Sequence, residues 1–166
     1  MNKKSIIFLV AFISFVLIIV GCSDKEKTGD SAKNVEKNKN TYIKYVQKLK
    51  KIEESSSDIP FDINVTYDKL DDKEVRYQVV IDNPTKDIKN IKAVAVHNKQ
   101  TDDVFPSIGI FDETVDLTLE SESKGIILVG YIPYEGTIDE LECEMKIIIS
   151  YEIEEKEYTS YYVTKK

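Results

Sequence analysis

Few residues in this sequence could do chemistry. It has a single histidine, His97, and two cysteines, Cys22 and Cys143. A Ser–His–Asp or Cys–His arrangement would have to use His97. We expect His97 to be a half-exposed structural residue, because it ends a predicted strand beside Asn98. The sequence therefore predicts no catalytic residue and no zinc site, and it favours a protein that is not an enzyme.

The remaining candidates are acidic pairs in predicted loops, namely Asp71-Asp72, Asp102-Asp103 and Asp112-Glu113. Loop carboxylates at the end of a β-sandwich can bind calcium, which prefers oxygen ligands. None of the pairs lies in an Asp-x-Asp-x-Asp-Gly loop, and a strongly acidic domain contains such pairs by chance. We therefore predict no metal and no other cofactor, with these six carboxylates as the nearest candidates for calcium.

The first 21 residues have the layout of a secretory signal. Two lysines precede an uncharged apolar run over residues 6–20, which is shorter than a membrane-spanning helix and suits the apolar part of a signal. The run ends in Ile19-Val20-Gly21-Cys22. These four residues resemble the lipobox of bacterial lipoprotein precursors at every position.

The lipobox resemblance implies a modification and a location. It implies a diacylglycerol thioether on Cys22 and cleavage before that residue; in some bacteria the freed amine is acylated as well. Two or more acyl chains make a stable anchor, whereas one binds only marginally. We therefore expect a lipid-anchored protein on the extracytoplasmic face of the cell membrane.

Charge and hydropathy divide the rest of the chain. Residues 22–40 are polar, with no aromatic side chain, and we predict a flexible tether there. Residues 58–166 carry twelve basic and twenty-four acidic side chains, a net charge of −12. So acidic a domain argues against nucleic acid as a partner, because phosphate binding requires a basic face.

A short amphipathic helix is predicted within residues 41–57, the segment that joins tether and domain. Its apolar residues recur at helical spacing, while lysines fill the other positions. The apolar residues are Tyr42, Tyr45, Val46, Leu49 and Ile52. Thr41 is the expected N-cap. Two alternatives stay open, since such a helix can dock on the acidic domain or lie on a membrane surface.

From residue 58 onward the hydrophobic period changes from 3.6 to 2, which predicts an all-β domain over residues 58–166. Seven strands are predicted, near residues 61–67, 75–82, 91–97, 115–119, 126–132, 141–154 and 158–163. Seven or eight short antiparallel strands suit an immunoglobulin-like β-sandwich, although the chain has no tryptophan for the core signature of antibody domains. Cys143 is in phase with its apolar neighbours, so we expect a buried thiol without a disulfide.

Two segments of the domain resemble immunoglobulin-like modules carried by many Gram-positive lipoproteins. The first is Tyr77-Gln-Val-Val-Ile-Asp-Asn-Pro-Thr85, followed by Ile88-Lys-Asn-Ile91. The second is Leu117-Thr-Leu-Glu-Ser-Glu-Ser-Lys-Gly125, followed by the strand at 126–133. The resemblance implies a secreted binding module with no shared chemistry.

The sequence thus predicts a membrane-anchored lipoprotein that presents a non-catalytic binding module. We expect loops or an edge strand to recognise an unknown extracytoplasmic protein, peptide or envelope polymer. An accessory subunit of a membrane enzyme or transporter is the alternative. Calcium-dependent adhesion and hydrolysis are the least favoured functions, because no constellation of residues points to them.

Overall fold

A computed structural model describes residues 27–119 and 125–166, and the side chains from residue 33 onward. Elements in chain order are α1 Lys27–Leu49, β1 Asp62–Lys69, β2 Glu74–Asp82, β3 Ile88–His97, β4 Ser107–Ile108, β5 Val115–Leu117, β6 Ile126–Pro133, a 3₁₀ turn Ile138–Glu140, β7 Glu144–Ile153 and β8 Lys156–Lys165. All seven predicted strands are present. The additional strand, β4, has two residues and is too short to show alternation.

The strands form two antiparallel sheets. One has the order β1-β2-β6, and the other has the order β4-β3-β7-β8 with β5 also paired to β3. These pairings match the A-B-E and C-F-G strands of an immunoglobulin sandwich. The prediction of an all-β, immunoglobulin-like sandwich is therefore confirmed.

The main core lies between the two sheets and follows from the alternation along strands such as β2 and β6. Every second residue of β2 is buried, namely Val75, Tyr77, Val79 and Ile81. From β7 the facing layer receives Met145, Ile147 and Ile149, all fully buried. Period-2 patterning thus gives each sheet one apolar inner face and one outer face.

A second apolar cluster covers the outer face of the five-stranded sheet. Leu49 of α1 packs there with Val94, Val96 and Ile148, and it is fully buried. Tyr45 Oη donates a hydrogen bond of 2.7 Å to Ser150 Oγ on β7. Of the two alternatives for the amphipathic helix, docking on the domain is the one observed.

The helix begins at Lys27 and ends at Leu49, so it is longer than the helix predicted within residues 41–57. The expectation of a flexible tether over residues 22–40 is therefore wrong for residues 27–40, which are helical. Once the docked turns are formed, each added residue gains one hydrogen bond without a new nucleation cost. Thr41, the expected N-cap, lies inside the helix and donates from Oγ1 to the carbonyl of Lys37 at 3.0 Å.

Candidate functional site

The predicted lipidation site, Cys22 with Ile19, Val20 and Gly21, lies outside the residues that the structure describes. Lipidation therefore stays a prediction. Within residues 27–119 and 125–166, no helix has both the length and the apolar character needed to cross a bilayer.

His97 is buried, which contradicts the expectation of a half-exposed position. Its side chain is 7% exposed and lies edge-on to the rings of Tyr77 and Phe105. Nε2 donates to the carbonyl of Tyr131 on β6 at 3.2 Å, so the ring bridges the two sheets. Nδ1 has no hydrogen-bond partner among the described residues. Burial lowers the pKa of His97 and keeps the ring neutral near pH 7.

Cys143 lies in the core, as the alternation predicts. Its side chain is 2% exposed, and it forms no disulfide. Burial raises the pKa of this thiol above its ordinary value, so the reactive thiolate form is disfavoured. The contacts of Cys143 are those of a small core residue.

The acidic pairs lie in three separate loops: Asp71-Asp72 between β1 and β2, Asp102-Asp103 between β3 and β4, and Asp112-Glu113 between β4 and β5. Asp71 Oδ1 accepts from the amide of Lys73 at 2.8 Å, and Asp112 Oδ1 accepts from the amide of Gly109 at 2.7 Å. Both are local turn contacts. In the described part of the chain, no three His, Cys, Asp or Glu side chains are grouped to hold a metal ion.

The strongest candidate for a binding surface is the outer edge of β6. Two loop hydrogen bonds define which backbone groups face that edge: Leu70 N to Glu74 O at 3.0 Å, and Tyr134 N to Lys73 O at 2.8 Å. In antiparallel pairing, hydrogen-bonded residues alternate with residues whose N–H and C=O point to the other side. Together with the register between β2 and β6, this alternation directs the backbone groups of Ile127, Val129 and Tyr131 away from β2.

Within residues 27–119 and 125–166, no backbone group pairs with the outer edge of β6. Among the described strands, none pairs with β6 on the side away from β2. The carbonyl of Tyr131 accepts from His97, and Pro133 has no amide hydrogen to offer. Ile127 and Val129 therefore each present a donor and an acceptor at this edge, and Tyr131 adds a donor.

The side chains above this edge are apolar and exposed. Ile127, Val129 and Tyr131 project on the outer face of the three-stranded sheet and are 48%, 40% and 41% exposed. They lie beside Val80, Gln78 and Arg76 of β2, respectively. None of the eight residues of β6 is charged. We call the free backbone groups and this apolar row together the β6 edge.

The other described sheet edges carry the protections that native proteins use against strand pairing. Strand β1 has charged residues at both ends, including Asp62 and Lys69. Strand β8 is covered by the segment after the helix, where Ser56 N donates to Tyr161 O at 2.8 Å and Ser55 Oγ accepts from Val163 N at 2.9 Å. Strands β4 and β5 are only two and three residues long. In contrast to these edges, the β6 edge is long and uncharged, and no described strand covers it.

The sequence predicts strand β6 and an edge or loop as the binding surface, but it does not identify which edge. Two signals were present. The strand contains no charge, and it contains Gly130, which marks a close approach within a strand. A Cβ at Gly130 would lie 2.4 Å from Cζ of Tyr77, so glycine lets the Tyr77 ring fill the core directly beneath the edge.

Comparisons with known proteins found no matching family model, no similar curated protein and no similar solved structure.

Proposed function

We propose that this chain is a lipid-anchored, extracytoplasmic binding module, and that it binds an extended segment of a partner protein at the β6 edge. The observation that carries the proposal is the combination of free backbone groups and exposed apolar side chains on one long, uncharged edge strand. Adding a strand to an exposed sheet edge is a common mode of peptide recognition. The role is non-catalytic.

The register of β6 defines what the partner would contact. Its backbone would hydrogen-bond with Ile127 and Val129, and its carbonyl would accept from the amide of Tyr131. On the outer face, every second partner side chain would pack beside the row of Ile127, Val129 and Tyr131. Apolar or aromatic residues at alternate positions fit that row, while Pro133 ends the pairing at one side.

The proposed location rests on the N-terminal sequence. Residues 1–21 would direct export, and the acyl chains on Cys22 would hold the mature protein at the outer surface of the cell membrane. The sandwich would then meet partners outside the cytoplasm.

A charged substitution on the edge tests this function. Lysine on an exposed edge strand blocks pairing with another strand, so Val129→Lys should abolish partner binding. Tagged full-length chain is crosslinked in the cells that produce it and then purified, and the adducts are identified by mass spectrometry. We expect an adduct with the unmodified chain. Val129→Lys should lower the yield of this adduct at least about tenfold, which corresponds to a loss of about 1.4 kcal/mol or more in binding free energy.

Thr66→Lys is the matched control. Thr66 is an exposed residue of β1 on the same outer face, opposite Gln78, and the substitution adds the same charge. It should leave the adduct unchanged. Thermal unfolding confirms that both variants are folded. An adduct that survives Val129→Lys, or that both variants lose equally, would refute binding at the β6 edge.

A further inference from the structure

The solvent-facing side of helix α1 and the turn that follows it carry a concentrated positive charge. Between residues 36 and 51 there are six lysines, all exposed, and one acidic residue, Glu36. The lysines are Lys37, Lys39, Lys44, Lys48, Lys50 and Lys51, which we call the lysine face. At a rise of about 1.5 Å per residue, the lysine face spans roughly 20 Å along the helix.

The docked side of the helix leaves the lysine face turned to solvent. Tyr42 Oη donates to the carbonyl of Phe105 at 3.1 Å, and Tyr45 and Leu49 pack on the five-stranded sheet. At about 100° per residue, Lys37 and Lys44 project roughly 115° and roughly 135°, respectively, away from the centre of these contacts. Lys48 lies nearer the sheet, with Nζ 5.0 Å from the ring centre of Tyr161, and its side chain is still exposed. No ion pair involves the lysine face within the described residues.

Charge is thus separated between the layers of the molecule. The lysine face lies outside the five-stranded sheet, whereas residues 58–166 carry the net charge of −12. An anionic bilayer attracts basic segments and repels acidic ones. A membrane surface would therefore favour the one orientation in which the helix lies between the sandwich and the lipid.

We infer that the lysine face binds anionic phospholipid headgroups and orients the sandwich on the membrane. This inference rests on the proposed lipid anchor, which keeps the helix within reach of the bilayer. Each lysine held close to an anionic leaflet strengthens binding about fivefold. In this orientation the three-stranded sheet, and with it the β6 edge, lies on the side of the sandwich away from the membrane.

Residue-resolved labelling of lysines tests the inference. The chain purified in detergent from the cells that produce it is reconstituted with vesicles of neutral phosphatidylcholine, or of phosphatidylcholine mixed with phosphatidylglycerol, and acetylated with an amine reagent. Mass spectrometry then gives the rate at each lysine. We expect Lys44 and Lys50 to react at least about threefold more slowly on anionic vesicles, with the protection lost at high salt. Lys73 and Lys86, exposed on sandwich loops, serve as internal controls and should not change.

Two variants of equal charge provide the matched comparison. Replacing Lys37, Lys44 and Lys48 with Gln should remove the protection at Lys50 and Lys51. Replacing Lys73, Lys86 and Lys89 with Gln should preserve it. Equal labelling on both kinds of vesicle, or the same loss in both variants, would overturn the inference. Protection by soluble polyphosphate but not by vesicles would also overturn it, in favour of an anionic polymer.

The experiment separates this inference from the proposed function. If the chain is not lipid-anchored, it will fail to float with neutral vesicles. If it floats with both kinds of vesicle but its lysines react equally, the anchor stands and only the membrane contact of the lysine face is refuted.

Discussion

His97 joins the two sheets beside the β6 edge. It belongs to β3, contacts the rings of Tyr77 and Phe105 edge-on, and donates to the backbone carbonyl of Tyr131 on β6. A single histidine in a core can be read as a catalytic candidate or as a packing residue. Here every observed contact is structural, and the hydrogen bond to Tyr131 supports the strand that carries the proposed binding surface.

The buried position of His97 predicts how stability changes with pH. Burial lowers the pKa in the folded chain below the ordinary value of 6.5, so the unfolded chain binds more protons between the two values. The free energy of unfolding should therefore fall as the pH decreases below about 6.5. Urea titrations at about pH 7 and pH 5.5 would measure this loss.

His97→Gln is the variant for comparison, because it keeps a polar side chain that does not titrate. His97 is the only histidine. The pKa values of Glu140 and Glu144 are lowered by hydrogen bonds from Thr137 and Lys146, respectively, so the stability that they contribute is lost only as the pH falls below about 5.5. The free energy of unfolding of His97→Gln should change little between about pH 7 and about pH 5.5. The same pH dependence in both proteins would contradict this account of His97.

At the scale of elements, the helix that docks on the five-stranded sheet depends on a small apolar contact. Leu49 has no exposed surface and lies against Val94, Val96 and Ile148. Leu49→Ala should lower the free energy of unfolding by about 2–5 kcal/mol, because it leaves a cavity under the last turn of the helix. Urea unfolding followed by circular dichroism would measure the loss.

Ile43 offers a control on the same helix. Its side chain is 39% exposed, and Ile43→Ala should change the free energy by no more than about 0.5 kcal/mol. If Leu49→Ala lowered the free energy of unfolding as little as Ile43→Ala does, the helix would not be docked on the five-stranded sheet.

Strands β1, β2 and β6 were predictable because more buried and more exposed residues alternate along them, as in β2 with Val75, Tyr77, Val79 and Ile81. The helix was predictable only where its apolar stripe meets the sheet. Residues 27–40 lack that stripe, and their helicity follows from propagation out of the docked turns. Strand order is a property of long-range pairing, so the sequence could not show that β6, rather than β1 or β8, has an unprotected edge.

At the scale of the whole molecule, the described elements within residues 36–166 form layers. The lysine face lies on one side, the acidic sandwich follows, and the apolar row of the β6 edge lies on the far sheet. A lipid anchor ahead of the helix would place the basic layer at the membrane and leave the edge exposed to partners. The proposed surface position of the module depends on the acyl chains proposed for Cys22.

The decisive measurement is the mass of the N-terminal peptide of the chain extracted from cell membranes. We predict a peptide that begins at Cys22 and carries the added mass of a diacylglycerol, with or without an amide-linked acyl chain. Cys22→Ala should block cleavage after Gly21, whereas Cys143→Ala, which alters the buried core thiol, should leave processing unchanged. An unmodified Cys22, or normal cleavage and membrane retention in Cys22→Ala, would contradict the lipoprotein account.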